Sequence, residues 1–142
     1  MGNGQHYLKN GGFRSYYYVS RGIVTFDGLS AKIITKYNSK TFHEGLPRFS
    51  NTSKMYVKLD RHGNIVQLRV FKNRKAVMDF DWSHKHGNHP SGVVHVHILN
   101  PDGNLHGNTD AVRYMSNSEI RRYGKFIKHL NPNVKLRPPR RQ

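Results

Sequence analysis

The segment Asp79-Phe-Asp-Trp-Ser-His-Lys-His-Gly-Asn-His-Pro-Ser-Gly-Val-Val-His-Val-His97 decides the fold predicted for this chain. Apolar side chains alternate with other side chains in both of its halves and just beyond them, at Ala76, Met78, Phe80 and Trp82 and again at Val94, Val96 and Ile98. Because successive side chains of a β-strand point to opposite faces, each half is predicted to be a strand with one apolar face. The polar loop between them contains Gly87, Pro90 and Gly92, as a hairpin connection would.

A shared polar face follows from this pairing. If both strands turn their apolar faces to one core, the opposite face carries two carboxylates and two imidazoles, those of Asp79, Asp81, His95 and His97. The loop adds His84, His86 and His89. We therefore take this cluster as the candidate functional site, on a face that we expect solvent to reach.

The preceding residues extend the same pattern. Residues 55–59 and 66–71 alternate apolar and polar side chains and are separated by turn signals at 61–64 and 72–75. Strands in succession with short turns favour an antiparallel sheet. Residues 13–26 hold two short strand-like runs around Arg21-Gly22, whereas residues 31–37 fit either a strand or helical turns. Residues 38–53 read as a loop.

One helix is well marked near the C-terminus. Ser116 and Glu119 have the spacing of a capping box, and an apolar stripe follows at Ile120, Tyr123, Ile127 and Leu130. The predicted fold class is α+β, an antiparallel sheet of about four or five strands with one C-terminal helix packed on it. Residues 13–131 would form a single domain, between a flexible N-terminal segment (1–12) and a basic flexible tail (132–142).

The composition points to a polyanionic partner. Lys and Arg number 24 against 8 Asp and Glu, which gives a formal charge of +16. Such an excess raises self-repulsion and favours attraction to nucleic acid, for which we expect RNA rather than DNA. A membrane surface is disfavoured, because the sequence contains no long basic amphipathic helix. The absence of cysteine excludes disulfides and thiolate metal sites. No apolar run reaches the ~18 residues of a membrane span, so we expect a soluble chain.

The predicted site suits RNA cleavage without a cofactor. A histidine near its ordinary pKa can remove the 2′-OH proton, and a second can protonate the leaving 5′ oxygen. His95 or His97 would be the base, and His84, His86 or the other strand histidine the acid. Asp79 and Asp81 would orient the imidazoles. Cations would hold the phosphates, and the candidates are Arg69, Lys85, Arg121, Arg122 and Lys125.

Two alternatives stay open at these positions. His95-x-His97 with Asp81 also has the composition of a divalent metal site, in which a bound water would be activated. Alternatively, the two histidines are simply polar residues of a solvated sheet face, and Asp79 is the structural partner of an arginine. A protein of another class, a non-catalytic nucleic-acid-binding or inhibitory protein of phage type, would need only the charge.

Several motifs in order strengthen the nuclease prediction. They are YVKLDRHGNIVQLRVF at 56–71, DFDWSH at 79–84, His89-Pro90 and VHVH at 94–97. From about residue 53 to 99 the chain resembles C-terminal toxin domains of bacterial polymorphic toxin systems, in which a "dGxvxxxRyyd" meander leads to a "DIDw" strand and a His-rich loop closing on His-x-His.

The resemblance implies a small α+β ribonuclease of the barnase–EndoU–colicin–RelE type, delivered as part of a secreted toxin, with a cytoplasmic site of action. Such a domain would be made with an immunity protein, which we expect to be acidic. It would map the family's catalytic positions onto Asp79, Asp81, His84, His95 and His97. A phage or mobile-element protein carrying the same domain is a second expectation.

Overall fold

The computed structural model describes residues 18–36, 46–47, 49–50, 53–83, 90–99 and 112–139. Within them lies one seven-stranded sheet whose strands follow each other in chain order. The strands are β1 Tyr18–Phe26, β2 Leu29–Lys36, β3 Met55–Leu59, β4 Ile65–Lys72, β5 Lys75–Asp81, β6 His95–Ile98 and β7 Arg113–Tyr114. One helix, α1, spans Asn117–Leu130. The predicted α+β class is confirmed.

The sheet has more strands than the four or five predicted, and it is not wholly antiparallel. All neighbouring strands run antiparallel except β2 and β3, which are parallel. The described part of the two runs predicted around Arg21-Gly22 forms one strand, β1, with a bulge between Ser20 and Gly22. A two-residue turn joins this strand to β2, with φ of 54° at Asp27 and 79° at Gly28, the conformation that suits tight hairpins.

Both the start and the end of α1 agree with the sequence prediction. The Ser116 hydroxyl accepts a hydrogen bond from the Glu119 backbone, and the Glu119 carboxylate accepts one from the Ser116 backbone, which completes the capping box. Asn131 caps the C-terminus. The buried face of the helix packs against the sheet, where Tyr123 meets Phe80 at a ring-centroid distance of 5.0 Å.

This packing fixes the orientation of the candidate site. Phe80, Val94 and Val96 belong to the core beneath α1. Because side chains alternate along a strand, Asp79, Asp81 and the β6 histidines lie on the opposite face.

That opposite face has a core of its own. A second buried cluster contains Tyr18, Ile34, Leu46, Tyr56, Phe71, Ala76 and Leu99. Tyr56 belongs to it although its neighbours Met55 and Val57 belong to the core under the helix. The sheet is therefore covered on both faces where residues are described, and not on one as predicted.

The segment after α1 is packed on the domain, which corrects the prediction of a flexible tail starting at residue 132. Val134 is buried, with an exposed fraction of 2%. Val94 N–H donates to the Lys135 carbonyl at 2.9 Å, and Lys135 N–H donates to the Gly92 carbonyl at 2.8 Å. The predicted flexible segment 1–12 lies outside the described residues. Among the residues that are described, no helix is long and apolar enough to cross a membrane.

Candidate functional site

Strand register brings the four predicted side chains together. Across the β5–β6 pair, Asp79 lies opposite His97 and Asp81 lies opposite His95. Residues directly opposite each other in an antiparallel pair have Cβ atoms about 4.5–5.5 Å apart. The two acids and two imidazoles thus form a single patch on the face turned away from α1.

The patch continues onto the flanking strands. Gln67 and Arg69 of β4 pair with Asp81 and Asp79, and Tyr114 of β7 pairs with His95. Gln67 and Tyr114 were not predicted as site residues. Gln67 could have been predicted from the sequence. The tight turn at 72–75 sets the register of β4 against β5, and the alternation of β4 then places Gln67 on the face of Asp81. No signal marks Tyr114, because a two-residue strand is too short to show a period.

Most of the patch is buried, contrary to the expectation of a solvated face. The exposed fractions are 6% for Asp79, 5% for Asp81 and 0% for His95. His97 is half-buried and is the most accessible of the four. Polar residues that merely face solvent would not be buried in this way, so the solvated-face alternative does not apply to these three.

Arg69 is committed to Asp79 rather than to a phosphate. Its Nε donates to Asp79 Oδ1 at 2.6 Å and its Nη2 to Asp79 Oδ2 at 2.7 Å, a bidentate pair. Its Nη1 donates to the carbonyls of Leu46 and Pro47 at 3.0 and 3.1 Å. With an exposed fraction of 6%, the guanidinium holds the 46–47 segment against the sheet. The predicted phosphate contact of Arg69 is therefore wrong in this conformation, whereas the alternative of a structural Arg partner for Asp79 holds.

His95 is held in a defined orientation. Its Nδ1 lies 3.2 Å from the Val93 carbonyl oxygen. A carbonyl only accepts, so this hydrogen bond requires the proton on Nδ1 and leaves Nε2 as an acceptor in the neutral ring. His95 Nε2 lies 3.9 Å from Asp81 Oδ1, and Asp81 Oδ1 accepts from Ser83 N–H at 3.0 Å.

The same atoms have the arrangement of a possible metal site. One ligand atom each from Asp81, His95 and His97 lie within 4.8 Å of one another. Metal-binding histidines usually donate their second ring N–H to a carbonyl or carboxylate, as His95 Nδ1 does to Val93. The His95 and His97 rings are 5.5 Å apart at 64°.

The predicted helix cations do not join the site. Tyr123, Phe126 and Ile127 face the core beneath the sheet, so α1 and its exposed Arg121, Arg122 and Lys125 lie on the other side of the sheet from His97. The sequence already implied this arrangement, because the apolar stripe of the helix must pack on the apolar face of the sheet, which lies opposite His97. The predicted His84, Lys85 and His86, and the nearby His89, lie outside the described residues.

The Arg113–Glu119 ion pair connects the edge of the patch to the helix. Arg113 Nη1 and Nη2 donate to the two Glu119 carboxylate oxygens at 2.7 and 2.8 Å. The Arg113 guanidinium beside Glu119 lowers the pKa of that carboxyl to about 2. This pair holds β7, and with it Tyr114, near the start of α1.

No known protein family, no curated protein and no solved structure matches this chain. The resemblance to toxin domains is consequently untested by these comparisons and stays a prediction.

Proposed function

We propose that the protein is a metal-independent endoribonuclease whose reacting side chain is His97. One observation carries this proposal: His97 is paired across the strands with Asp79, beside the Asp81–His95 pair, in a chain of net charge +16. His97 is also the member of the group that solvent reaches best.

The proposed chemistry assigns different roles to the two strand histidines. His97 removes the 2′-OH proton, the 2′ oxygen attacks the phosphorus, and the bond to the 5′ oxygen breaks to leave a 2′,3′-cyclic phosphate. A second group must deliver a proton to the leaving 5′ oxygen. His95 is fully buried, so we assign it a positioning role and take the acid from the His-rich loop, where the sequence offers His84 and His86.

Asp79 acts indirectly in this scheme. Its carboxylate is held by Arg69, so Asp79 would position His97 and would not transfer a proton. The cationic excess of the chain attracts RNA to the protein.

The test compares two histidine variants of the purified protein on total RNA in the presence of EDTA. His97→Ala should lower the cleavage rate by roughly 10²–10⁴-fold, the usual contribution of a general acid or base. His62→Ala is the matched control, because His62 is exposed in the turn between β3 and β4. Cleavage by His97→Ala at the rate of the unchanged protein would refute the proposal.

A metal-dependent nuclease is the second candidate, favoured by the close ligand atoms of Asp81, His95 and His97. These residues would hold the ion, which would supply an activated water. Loss of cleavage on adding EDTA, with recovery on adding one divalent ion, would replace the first proposal by this one. Salt-sensitive binding of RNA or DNA without any cleavage would instead indicate the non-catalytic class.

A further inference from the structure

A groove of about 760 Å³ lies beside α1, on the side of the sheet turned away from His97. Phe26, at the end of β1, forms part of its wall, and Ile120, Gly124 and Leu136 add further apolar lining. Phe26 is 40% exposed. The groove therefore offers an accessible aromatic surface.

An aromatic stack forms one end of the groove. The Phe26 ring lies on the His129 imidazole at a centroid distance of 4.1 Å with an interplanar angle of 3°. One face of the Phe26 ring is covered by His129, and the exposed part of the ring is open to a planar ligand. Nucleobases stack on accessible aromatic rings of this kind.

Two cations line the same groove as the stack. Arg121 and Lys125 line the groove and lie one turn apart on α1, about 5–6 Å between their Cβ atoms. No acidic residue lines this groove within the described part of the chain. The single acid of α1, Glu119, is paired with Arg113. Among the described residues, the lining of the groove therefore carries positive charge and no negative charge.

We propose that this groove is a second binding site for single-stranded nucleic acid, separate from the site of cleavage. A base would stack on Phe26, while Arg121 and Lys125 would contact the phosphates of the same strand. An acidic polypeptide would also be attracted to the two cations, but its carboxylates would make no stacking contact with the exposed Phe26 ring. Aromatic stacking combined with a cationic border matches sequence-tolerant binding of single strands.

The position of the groove gives it a distinct role if the proposed ribonuclease function holds, on which this part of the inference rests. The groove and His97 lie on opposite faces of the sheet, so a strand held in the groove must pass around the sheet edge to be cut. The groove would therefore raise affinity for long RNA and leave the cleavage of very short RNA unchanged.

The binding test uses a short fluorescein-labelled oligothymidylate and fluorescence anisotropy. This probe has no 2′-OH, so the proposed reaction cannot cut it. Phe26→Leu, which keeps an apolar side chain but removes the ring, should weaken binding roughly 5- to 150-fold, the range for losing one stacked base. The double variant Arg121→Ala/Lys125→Ala should weaken binding and lower the salt dependence by about 0.7 for each phosphate that the variant no longer neutralises.

Charge-matched and site-matched controls make the outcome decisive. Lys72→Ala/Lys75→Ala removes the same charge from the exposed turn between β4 and β5 and should affect binding far less. An equal loss in both double variants would mean that only net charge matters and would overturn the proposal. Polyglutamate that displaces the probe as well as unlabelled oligothymidylate does, at equal charge concentration, would assign the groove to an acidic polypeptide instead.

The two proposals can fail separately. His97→Ala should bind the oligothymidylate as tightly as the unchanged protein, since His97 does not line the groove. Absence of RNA cleavage combined with groove-dependent binding would refute the ribonuclease function alone. Cleavage of long RNA that does not depend on Phe26, together with unchanged oligothymidylate binding by Phe26→Leu, would refute the groove alone.

Discussion

Replacing Asp79 by asparagine should destabilise the fold more than it damages the chemistry. The substitution keeps the size of the side chain but removes the charge that faces Arg69, whose Nε and Nη2 both donate to this carboxylate. The Arg69 guanidinium would then be a buried cation without its counter-ion, in a site where it is only 6% exposed. Removing one partner of such a pair costs about 3–5 kcal/mol.

The measurement is urea unfolding of the unchanged and Asp79→Asn proteins. At an m-value near 2 kcal/mol per molar, the midpoint should fall by about 2 M with little change in m. In a thermal scan the same loss corresponds to a Tm lowered by roughly 10–20 °C for a chain of this length. Asp27→Asn is the control, because it removes an equal charge from an exposed turn residue with a φ of 54°, which asparagine tolerates.

A double variant separates the ion pair from its surroundings. Replacing Arg69 and Asp79 by Met and Leu removes the unpaired charge, so part of the stability should return. The recovery should stay incomplete, because the Leu46 and Pro47 carbonyls lose the Arg69 Nη1 donor at about 1–3 kcal/mol for each group left unsatisfied. A urea midpoint for Asp79→Asn within about 0.5 M of the unchanged protein corresponds to a loss of only about 1 kcal/mol in the free energy of unfolding. That result would refute the structural role assigned to this pair.

Two further predictions concern the helix and the segment after it. The low pKa of Glu119, about 2 against 4.5 without its partner, means that the Arg113–Glu119 pair stabilises the fold fully above about pH 4.5 and loses this contribution as the pH falls through 2. Glu119→Gln should remove that part of the acid dependence of the unfolding midpoint, whereas an unchanged pH profile would contradict it. Deleting residues 132–142 should destabilise the fold by at least the burial of Val134, about 1.5–3 kcal/mol, and equal midpoints for the full and shortened chains would show that this segment does not pack.

Short-range patterns in the sequence were sufficient to predict those features that depend on one strand or one turn. The alternation around Phe80 and Val96 correctly placed two acids and two histidines on one face, because a strand has a fixed period of two. Ser116 and Glu119 marked the start of α1 for a similar reason, since a capping box needs only local contacts. The strands of the central meander were predictable from the same period.

What depends on distant residues could not be predicted in the same way. The burial of Asp81 and His95 arises because chain elements cover a face that alternation alone suggests is solvated. The Arg69–Asp79 pair could in principle have been predicted from the sequence, because the tight turn at 72–75 sets the register of β4 against β5. The side of the sheet that α1 covers was also predictable, because its apolar stripe packs on the apolar face of the sheet. Assigning the helix cations to the site of His97 was inconsistent with that placement.

The parallel pairing of β2 with β3 divides the sheet into two parts, which differ in how far apart in the sequence their paired residues lie. Strands β3 to β7 form a meander of neighbours in the chain, whereas the β1–β2 hairpin joins it through pairs such as Lys32 with Tyr56 and Ile33 with Val57, across a long connection. Such distant pairing forms only after a large loop has closed, which favours late docking during folding. Amide exchange from the hairpin should then report partial opening of the native state, and each opening would carry Phe26 away from α1 while the meander that holds His97 stays intact.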